Sequence, residues 1–157
     1  MKKIIYPDAS HPMSYKRPES ILLIIHTITG QVLLLERADV ANFWQSVTGS
    51  LQAHETPIQT AQRELAEETG LHIAQSQLHD CQQTNRFPIL PPWRSRYAPT
   101  ITHNIEHVFS LCLAEICPIL LNPQEHLTYC WLPRAQALQK VSSSTNRHAI
   151  EQWVKTE

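Results

Sequence analysis

Three glutamates crowded between two glycines constrain this chain more than any other feature of its sequence. Glu64, Glu67 and Glu68 lie between Gly49 and Gly70, which are two of only three glycines among 157 residues. A single arginine lies in the same segment to offset the negative charge. Such a concentration of carboxylates needs a physical reason, and the local pattern supplies the first part of it.

The segment after Gly49 is predicted to form one helix of about 13 residues, an ordinary length for a globular protein. Thr56 suits the N-cap, Pro57 suits the first turn, and Gln59 completes a capping box. Gly70 suits the left-handed conformation that ends many helices. The apolar stripe of this helix is formed by Ile58, Ala61 and Leu65.

The predicted helix places the three glutamates on one face, because Glu67 and Glu68 follow Glu64 at i+3 and i+4. Like charges at these spacings destabilise a helix, and the one arginine, Arg63, can pair with Glu67. A hard divalent cation accounts for the cluster. Mg²⁺ is the expected ion because it prefers oxygen ligands and substrate phosphates, and Mn²⁺ is expected to substitute for it. The alternative is an ordinary charged surface helix.

Nine positions at fixed offsets define a longer pattern around these glutamates. They are Gly49, Glu55, Arg63, Glu64, Leu65, Glu67, Glu68, Gly70 and Leu71. In this pattern the sequence resembles the Nudix hydrolase family, whose box it matches at every defining position. The resemblance implies an α/β fold, a Nudix-type α/β/α sandwich with a mixed β-sheet, in which the box forms a loop, a helix and a second loop. It also implies hydrolysis of nucleoside diphosphates linked to another group, and of related pyrophosphates.

The resemblance implies a role for each charged residue of the box. Glu64, Glu67 and Glu68 are implied to be metal ligands, and Arg63 is implied to hold the carboxylates in place. Glu64 and Glu68 are expected to be catalytic as well, although family members differ in which carboxylate acts as the base.

Two positions depart from the family's common pattern. Gln52 stands where a glutamate is frequent, and His54 stands where a glycine is frequent. Neither is a defining position. We expect these departures to affect metal affinity or the geometry of the loop that precedes the helix.

The resemblance continues outside the box, from about residue 15 to residue 154. The matching stretches are residues 15–18, 43–50, 96–99, 125–127 with 129 and 131–132, and 146–147 with 149–152. They are similar to the branch of the family that converts 7,8-dihydroneopterin 3′-triphosphate to dihydroneopterin monophosphate and pyrophosphate in bacterial folate synthesis. One alternative is a Nudix enzyme that removes damaged (d)NTPs from the nucleotide pool. Another is a non-catalytic ligand sensor, which usually would have lost the box glutamates that this chain retains.

A further carboxylate outside the box is expected at the metal or the attacking water. Glu125 lies in a loop before a predicted strand and resembles the additional acidic residue of many Nudix enzymes. Glu106, which opens another predicted strand, is the competing candidate. His126 is predicted to donate to a phosphate or to orient the water, with a plain surface histidine as the alternative.

Candidate substrate contacts come from several parts of the chain. Lys16 and Arg37 are candidate phosphate partners, and Arg37 ends a predicted strand. Thr48 can bond a phosphate or the pterin through its hydroxyl, or it can be a residue chosen for its β-propensity. Ser143 either reaches the substrate or merely precedes a helix.

The apolar stretch Phe87, Pro88, Ile89 and Leu90 is predicted to contact a flat heterocycle. The alternative is a packed lid without ligand contact. Because proline lacks the N–H that a sheet ladder needs, residues 87–93 are predicted to form a long exposed loop and not a central strand.

The remaining chain is predicted to supply the strands of the sheet and one further long helix. Strands are predicted at residues 20–27, 31–37, 44–48, around 73, 78–84, 106–113 and 129–132. The first two form a hairpin through Thr29 and Gly30. A final helix is predicted to be capped by Ser144 or Thr145. Its predicted buried residues are Ala149, Ile150 and Trp153.

The composition of the chain limits the classes of partner and of cellular compartment that we expect. A net charge of −1 with 13 Lys and Arg excludes a broad nucleic-acid surface, and the longest apolar run, Ile21–Ile25, is too short to span a membrane. Four scattered cysteines are predicted to be reduced core thiols, and the scattered histidines do not indicate zinc. We expect a cytoplasmic monomer that binds a small pterin or nucleoside triphosphate. Residues 1–14 are predicted to form a flexible tail and residues 15–157 a single domain.

Overall fold

The elements of secondary structure follow one another in an order typical of a mixed α/β protein. The computed structural model describes residues 15–155, so the predicted tail at residues 1–14 lies outside the described part. The strands are β1 Glu19–Thr27, β2 Gln31–Arg37, β3 Trp44–Gln45, β4 Val47–Ser50, β5 His79–Pro88, β6 His103–Leu113 and β7 His126–Pro133. The helices are α1 Pro57–Thr69, α2 Pro91–Arg94, α3 Arg134–Lys140 and α4 Ser144–Trp153.

The seven strands form one mixed sheet with β1 at its centre. The main order is β3-β2-β1-β6-β5, while β4 pairs with β1 and β7 pairs with β2. Strand β1 runs parallel to β6 and antiparallel to β2 and β4. The predicted hairpin of β1 and β2 is confirmed, with Gly30 in the left-handed region at φ 84°.

Helices cover both faces of the sheet, and the alternation along β1 shows how. Ile21, Leu23 and Ile25 pack with apolar residues of α1 in one core, whereas Leu22 and Ile24 pack with those of α3 and α4 in a second core. Because both faces of β1 are buried, the strand has a continuous apolar sequence. The expected α/β/α sandwich with a mixed sheet is confirmed.

Helix α1 begins and ends at the predicted residues. The Thr56 side chain accepts from the Gln59 N–H, and the Gln59 side chain accepts from the Thr56 N–H at 2.9 Å, so the capping box is complete. Gly70 adopts φ 78° and donates its N–H to the Ala66 carbonyl at 3.0 Å. These caps fix the 13 residues Pro57–Thr69 as the helix that carries the glutamates.

The predicted strand around Ile73 is wrong. Residues 71–74 have no regular structure, and the chain enters a short 3-10 turn at Gln75–Gln77. The Ile73 side chain packs on the first core, and its carbonyl accepts a hydrogen bond from the Gln62 side chain at 2.9 Å. A side chain of α1 therefore satisfies this backbone group in place of a neighbouring strand.

The long exposed loop predicted for residues 87–93 is also wrong in part. Phe87 and Pro88 end β5, and residues 91–94 form the short helix α2. Strand β5 lies at an edge of the sheet, where a proline without an N–H is tolerated. Ile89 is buried, with 6% of its surface exposed, but Pro88, Leu90, Pro91 and Pro92 are exposed, so the predicted exposure holds for most of the segment.

Helix α4 begins earlier than predicted. Its N-cap is Ser143, whose Oγ accepts from the Asn146 N–H at 3.1 Å, and not Ser144 or Thr145. Of the predicted buried residues, Ala149 and Ile150 are fully buried and Trp153 is partly buried.

The strand predicted at residues 44–48 is divided into β3 and β4 at Ser46. The Ser46 N–H donates to Asn146 Oδ1 at 2.8 Å, so a side chain of α4 takes the place of a strand partner. This contact joins α4 to the sheet beside the cleft described below.

The four cysteines are free thiols, but they do not all lie in the core. Cys81 is buried, whereas Cys112 is exposed near the end of β6. Within residues 15–155, no helix has the length and apolar character needed to cross a membrane.

Candidate active site

One large cleft gathers most of the residues that the sequence singled out. Its volume is about 700 Å³, and it extends from α1 across the sheet to the start of α4. We call the part beside Glu64, Glu68 and Glu125 the acidic end. The part beside Phe87 and Glu106 is called the ring chamber.

The acidic end holds three carboxylates in ligand geometry. One oxygen from each of Glu64, Glu68 and Glu125 lies within 4.8 Å of the others. In the part of the chain that the structure describes, this is the only group of three or more acidic, histidine or cysteine side chains so arranged. Glu67 is placed outside the group with 48% of its side chain exposed, and Glu106 is also outside it.

The close approach of α1 to the sheet explains the first glycine of the box. A Cβ atom built on Gly49 would lie 2.2 Å from the carboxyl carbon of Glu64. No larger residue fits at this position unless Glu64 moves. Gly49 therefore acts through the space that it leaves for a carboxylate.

Arg63 fixes the carboxylates through a network of hydrogen bonds. Its guanidinium donates twice to Glu55, from Nε at 2.6 Å and from Nη2 at 2.9 Å. It also donates from Nη1 to Glu64 at 3.0 Å and to Glu67 at 3.3 Å. The Ser50 carbonyl accepts a further bond from Nη2 at 3.1 Å.

The sequence analysis identified the pair of Arg63 with Glu67 but missed the principal partner, Glu55. The only signal was the fixed position of Glu55 in the nine-residue pattern. Arg63 lowers the pKa of Glu55 to about 2, so this carboxylate is ionised at neutral pH and holds the guanidinium in one orientation.

The loop before α1 explains both departures from the family pattern. His54 adopts φ 68°, in the left-handed region where glycine is favoured, which accounts for a frequent glycine there. Gln52 acts through its backbone N–H, which donates to Glu55 Oε1 at 2.9 Å. That bond does not depend on the identity of the side chain at position 52.

Burial of Glu64 and Glu68 favours a positive charge at the acidic end. Only 3% of Glu68 is exposed, and its Oε1 atom has no hydrogen-bond partner among residues 15–155. Burial raises the pKa of Glu68 well above its usual value, and the negative charge of neighbouring Glu64 raises it further. Burial also raises the pKa of Glu64. Two buried carboxylates beside a third carboxylate oxygen fit a hard divalent cation.

His126 faces the acidic end from the start of β7. It is buried, with 3% exposed, so the alternative of a surface histidine is wrong. Its Nε2 atom lies 3.8 Å from Oε1 of Glu68. Burial, aided by the positive charge of Arg37, lowers the pKa of His126 to about 4. The imidazole is therefore neutral at physiological pH.

Lys16, Arg37 and Thr48 all line the cleft. The Lys16 ammonium group donates to the Ser50 hydroxyl at 3.3 Å. The Arg37 guanidinium donates to both carboxylate oxygens of Asp39 at 2.7 Å each. The Thr48 hydroxyl oxygen lies 3.1 Å from the Gln45 amide nitrogen, which donates to it.

An apolar wall bounds the ring chamber. The predicted residues Phe87, Pro88, Ile89 and Leu90 all line the cleft, together with Trp93 and Tyr97. The Trp93 ring stacks beneath the Arg37 guanidinium at 4.8 Å, and its Nε1 donates to Asp39 at 3.2 Å. Trp93 and Asp39 were not predicted from the sequence, since these two residues lie 54 positions apart in the chain.

Ser143 also lines the cleft, where it caps α4. The chamber floor consists of side chains of β1 and β6, namely Ser20, Leu22, Asn104 and Glu106. Glu106 was predicted only as an alternative to Glu125 at the metal or the attacking water, and Asn104 was not predicted to take part in the site. Their positions depend on strand pairing that no local pattern reveals.

The sandwich fold and the acidic end of the cleft define a class of protein. The NUDIX domain matches residues 16–153, and the chain belongs to this family. Members of the family are hydrolases that generally use a divalent metal ion, in agreement with the carboxylate group on α1. The chain is accordingly an enzyme of the hydrolase class.

Two relatives and one solved structure are similar to this chain over most of its length. The chain is 43% identical to a dihydroneopterin triphosphate diphosphatase of Haemophilus influenzae, over 90% of each protein. It is 46% identical to the protein of the same name from Escherichia coli K12, over 89% of this chain and 94% of that one. The solved structure of the E. coli dihydroneopterin triphosphate pyrophosphohydrolase superposes with a TM-score of 0.84 at 45% identity, covering 89% of this chain and 97% of that one.

Proposed function

We propose that this chain hydrolyses 7,8-dihydroneopterin 3′-triphosphate to dihydroneopterin monophosphate and pyrophosphate. The observation that carries the proposal is a single cleft that is lined both by three grouped carboxylates and by an apolar wall. A triphosphate fits the first part and a flat bicyclic ring fits the second. Relatives at 43% and 46% identity that bear this activity in their names support the same substrate.

Mg²⁺ is the proposed ion, with Mn²⁺ as a substitute. Glu64, Glu68 and Glu125 would hold it, and Glu67 supports them through Arg63. When bound, the ion neutralises phosphate charge and lowers the pKa of coordinated water. The unpartnered Oε1 of buried Glu68 is the feature of this chain that most favours a bound cation.

The cationic side chains of the cleft orient the phosphates. Asp39 holds the Arg37 guanidinium by two short bonds, while Arg37 Nη1 makes only a long bond of 3.4 Å to Gln45. This nitrogen and the Lys16 ammonium group are the proposed phosphate donors. The Thr48 hydroxyl, on β4, is proposed to donate to a phosphate or to the pterin.

A carboxylate of the acidic end accepts the proton of the attacking water. Glu64, Glu68 and Glu125 are the candidates, and their grouping allows any one of them to serve. His126 is neutral and lies 3.8 Å from Glu68, so it can orient the water or donate to a phosphate without adding charge.

A substrate panel tests the proposal. Pyrophosphate release is measured with dihydroneopterin triphosphate and with the four dNTPs, each with and without Mg²⁺. We expect the highest kcat/KM for dihydroneopterin triphosphate and some side activity on dNTPs. A preference for a dNTP would instead indicate a nucleotide-pool enzyme. Binding without Mg²⁺-dependent release of pyrophosphate would indicate a ligand sensor.

A further inference from the structure

The floor of the ring chamber is built by alternate residues of two parallel strands. Ser20 of β1 lies opposite Glu106 of β6 in the register, and Leu22 lies opposite Val108. Leu22 and Val108 belong to the core that packs on α3 and α4. Because side chains alternate along a strand, Ser20, Asn104 and Glu106 lie on the same face, opposite to α1.

Strand β5 continues this floor toward the edge of the sheet. Asn85 lies opposite Glu106 and Phe87 lies opposite Asn104, so each pair shares one face of the antiparallel ladder. The chamber therefore places the aromatic ring of Phe87 beside two polar side chains. Such a combination is typical of a site for a flat heterocycle.

Glu106 is a buried carboxylate that has no part in the acidic end. Only 5% of it is exposed, and Asn85 Nδ2 donates to its Oε1 at 3.2 Å. Among residues 15–155, no cationic side chain lies within salt-bridge distance of it. Burial raises the pKa of Glu106. An acidic group in this setting needs further donors to offset the cost of its burial.

Asn104 supplies a second acceptor that lacks a partner. It is 3% exposed, and its Nδ2 donates to the Ser20 hydroxyl at 2.7 Å. Its Oδ1 atom is buried and accepts no hydrogen bond within the described chain. Buried acceptors are normally satisfied, so Asn104 and Glu106 together indicate a ligand that presents adjacent N–H groups.

We propose that Glu106 and Asn104 recognise the 2-amino-4-oxopyrimidine edge of the substrate ring. This inference rests on the proposed function. That edge presents two N–H groups on the exocyclic amino nitrogen and one on the neighbouring ring nitrogen. A carboxylate accepts the ring N–H and one amino N–H as a parallel pair, and the second amino N–H is left for the amide oxygen of Asn104. Guanine carries the same pair of donors. Adenine presents a ring-nitrogen acceptor at the matching position, so Glu106 selects pterin and guanine over adenine.

The variant Glu106→Gln tests the assignment, because glutamine keeps the size of the side chain but replaces one acceptor by a donor. We expect kcat/KM for dihydroneopterin triphosphate and dGTP to fall about 10- to 100-fold, the value of a lost hydrogen bond to a charged group. The value for dATP should be retained, because an amide can pair with adenine. Glu115→Gln, at an exposed loop position, is the matched control and should leave all three unchanged.

Two measurements separate ring recognition from other roles of Glu106. Inhibition by inorganic triphosphate, which has no ring, and the Mn²⁺ affinity should be the same in Glu106→Gln and in the unmodified protein. A loss of either would place Glu106 in phosphate or metal binding and overturn the inference. An unchanged ratio of dGTP to dATP hydrolysis in the variant would overturn it as well.

Asn104→Leu, which removes the unpartnered acceptor and keeps the branched shape of the side chain, provides a second test should Glu106→Gln fail to fold. We expect kcat/KM to fall for dihydroneopterin triphosphate and dGTP and to be retained for dATP. Failure of the proposed function is seen separately, as an unmodified protein that does not prefer dihydroneopterin triphosphate. The dGTP to dATP ratio still tests Glu106 and Asn104 in that case.

Discussion

The two ends of the cleft are assembled in different ways. Two of the three grouped carboxylates and the whole Arg63 network of the acidic end come from residues 49–68, and Glu125 is added from a distant loop. The ring chamber takes its residues from β1, β5, β6 and the start of α4. One end therefore depends on a local pattern, and the other depends on how the strands pair.

The two ends also differ in how their polar groups are held. Arg63 binds Glu55, Glu64 and Glu67 at once, so the acidic end is fixed by charge-assisted bonds. In the ring chamber, Asn104 donates to Ser20, and Glu106 accepts from Asn85 and lies beside the Thr145 hydroxyl. The carboxylates of the acidic end are thus held by bonds within the protein, whereas the few polar groups of the ring chamber can still bind a ligand.

The largest effect is expected when a carboxylate of the acidic end is neutralised. Glu68→Gln should lower kcat by about 10²- to 10⁴-fold, in the range of a lost catalytic acid or base, and should abolish the stabilisation of the protein by Mn²⁺. Turnover with Mg²⁺ and thermal unfolding with Mn²⁺ measure the two effects. Glu67→Gln, outside the carboxylate group, is the control and should lose much less. Unchanged turnover in Glu68→Gln would refute the metal role.

The same variant should alter how the metal-free protein responds to pH. The pKa of Glu68 is higher in the folded state than in the unfolded state. As the pH rises above 4.5, the unfolded state therefore loses this proton first, and the free energy of unfolding falls. Metal-free Glu68→Gln should therefore be more stable than the unmodified protein at pH 7.5, and the gap should close near pH 4. A gap that is independent of pH would show that Glu68 is not buried as an acid.

A smaller effect is expected from filling the space beside Glu64. Gly49→Ala places a methyl group where the Glu64 carboxylate lies, since a Cβ atom at position 49 would be 2.2 Å from the Glu64 carboxyl carbon. We expect metal affinity and activity to fall about 10- to 100-fold, as when support of a metal ligand is lost. Titration with Mn²⁺ measures the affinity.

Gly30→Ala is the contrasting variant for this test. Gly30 has φ 84° in the hairpin of β1 and β2, so alanine there should reduce stability by backbone strain. The Mn²⁺ affinity of the folded Gly30→Ala protein should be unchanged. Equal losses of affinity in both variants would indicate general destabilisation and not displacement of Glu64.

This difference between the two ends explains what the sequence could predict. The capping residues and the i, i+4 spacing of Glu64 and Glu68 act within one helix, so the helix and its acidic face followed from local rules. The pair Arg63–Glu55 spans the loop before the helix, and loop geometry was not accessible from spacing alone.

The ring chamber was only partly predictable, because its composition depends on register. Phe87 was selected for its apolar character, but its place beside Asn104 follows from the pairing of β5 with β6. The loop was predicted because of Pro88, although a proline is tolerated in an edge strand such as β5. A shift of the register by one residue would turn Glu106 toward α1, so no pattern within β6 alone identifies it as part of the chamber.

At the ring chamber, loss of the aromatic side chain should affect rings and spare phosphates. Phe87→Ala should lower kcat/KM for dihydroneopterin triphosphate by about tenfold, the order of one aromatic contact. Inhibition by inorganic triphosphate should not change. Leu127→Ala, an exposed position on β7 outside the cleft, is the control. Equal losses for dihydroneopterin triphosphate and for dNTPs would argue against a chamber that is adapted to the pterin.

The smallest effect on activity is expected at Ser143, where a structural role competes with a substrate contact. Its Oγ caps α4 by accepting from the Asn146 N–H at 3.1 Å, and Asn146 in turn supports Ser46. Ser143→Ala should therefore cost about 1 kcal/mol of stability, which lowers Tm by about 2–4 °C for a chain of this size. Ser144→Ala, which removes an exposed hydroxyl that does not cap the helix, should leave Tm unchanged. If Ser143 acts only as a cap, kcat/KM for dihydroneopterin triphosphate measured well below Tm will match that of the unmodified protein. A selective rise in KM without a change in Tm would instead assign the hydroxyl to a substrate contact.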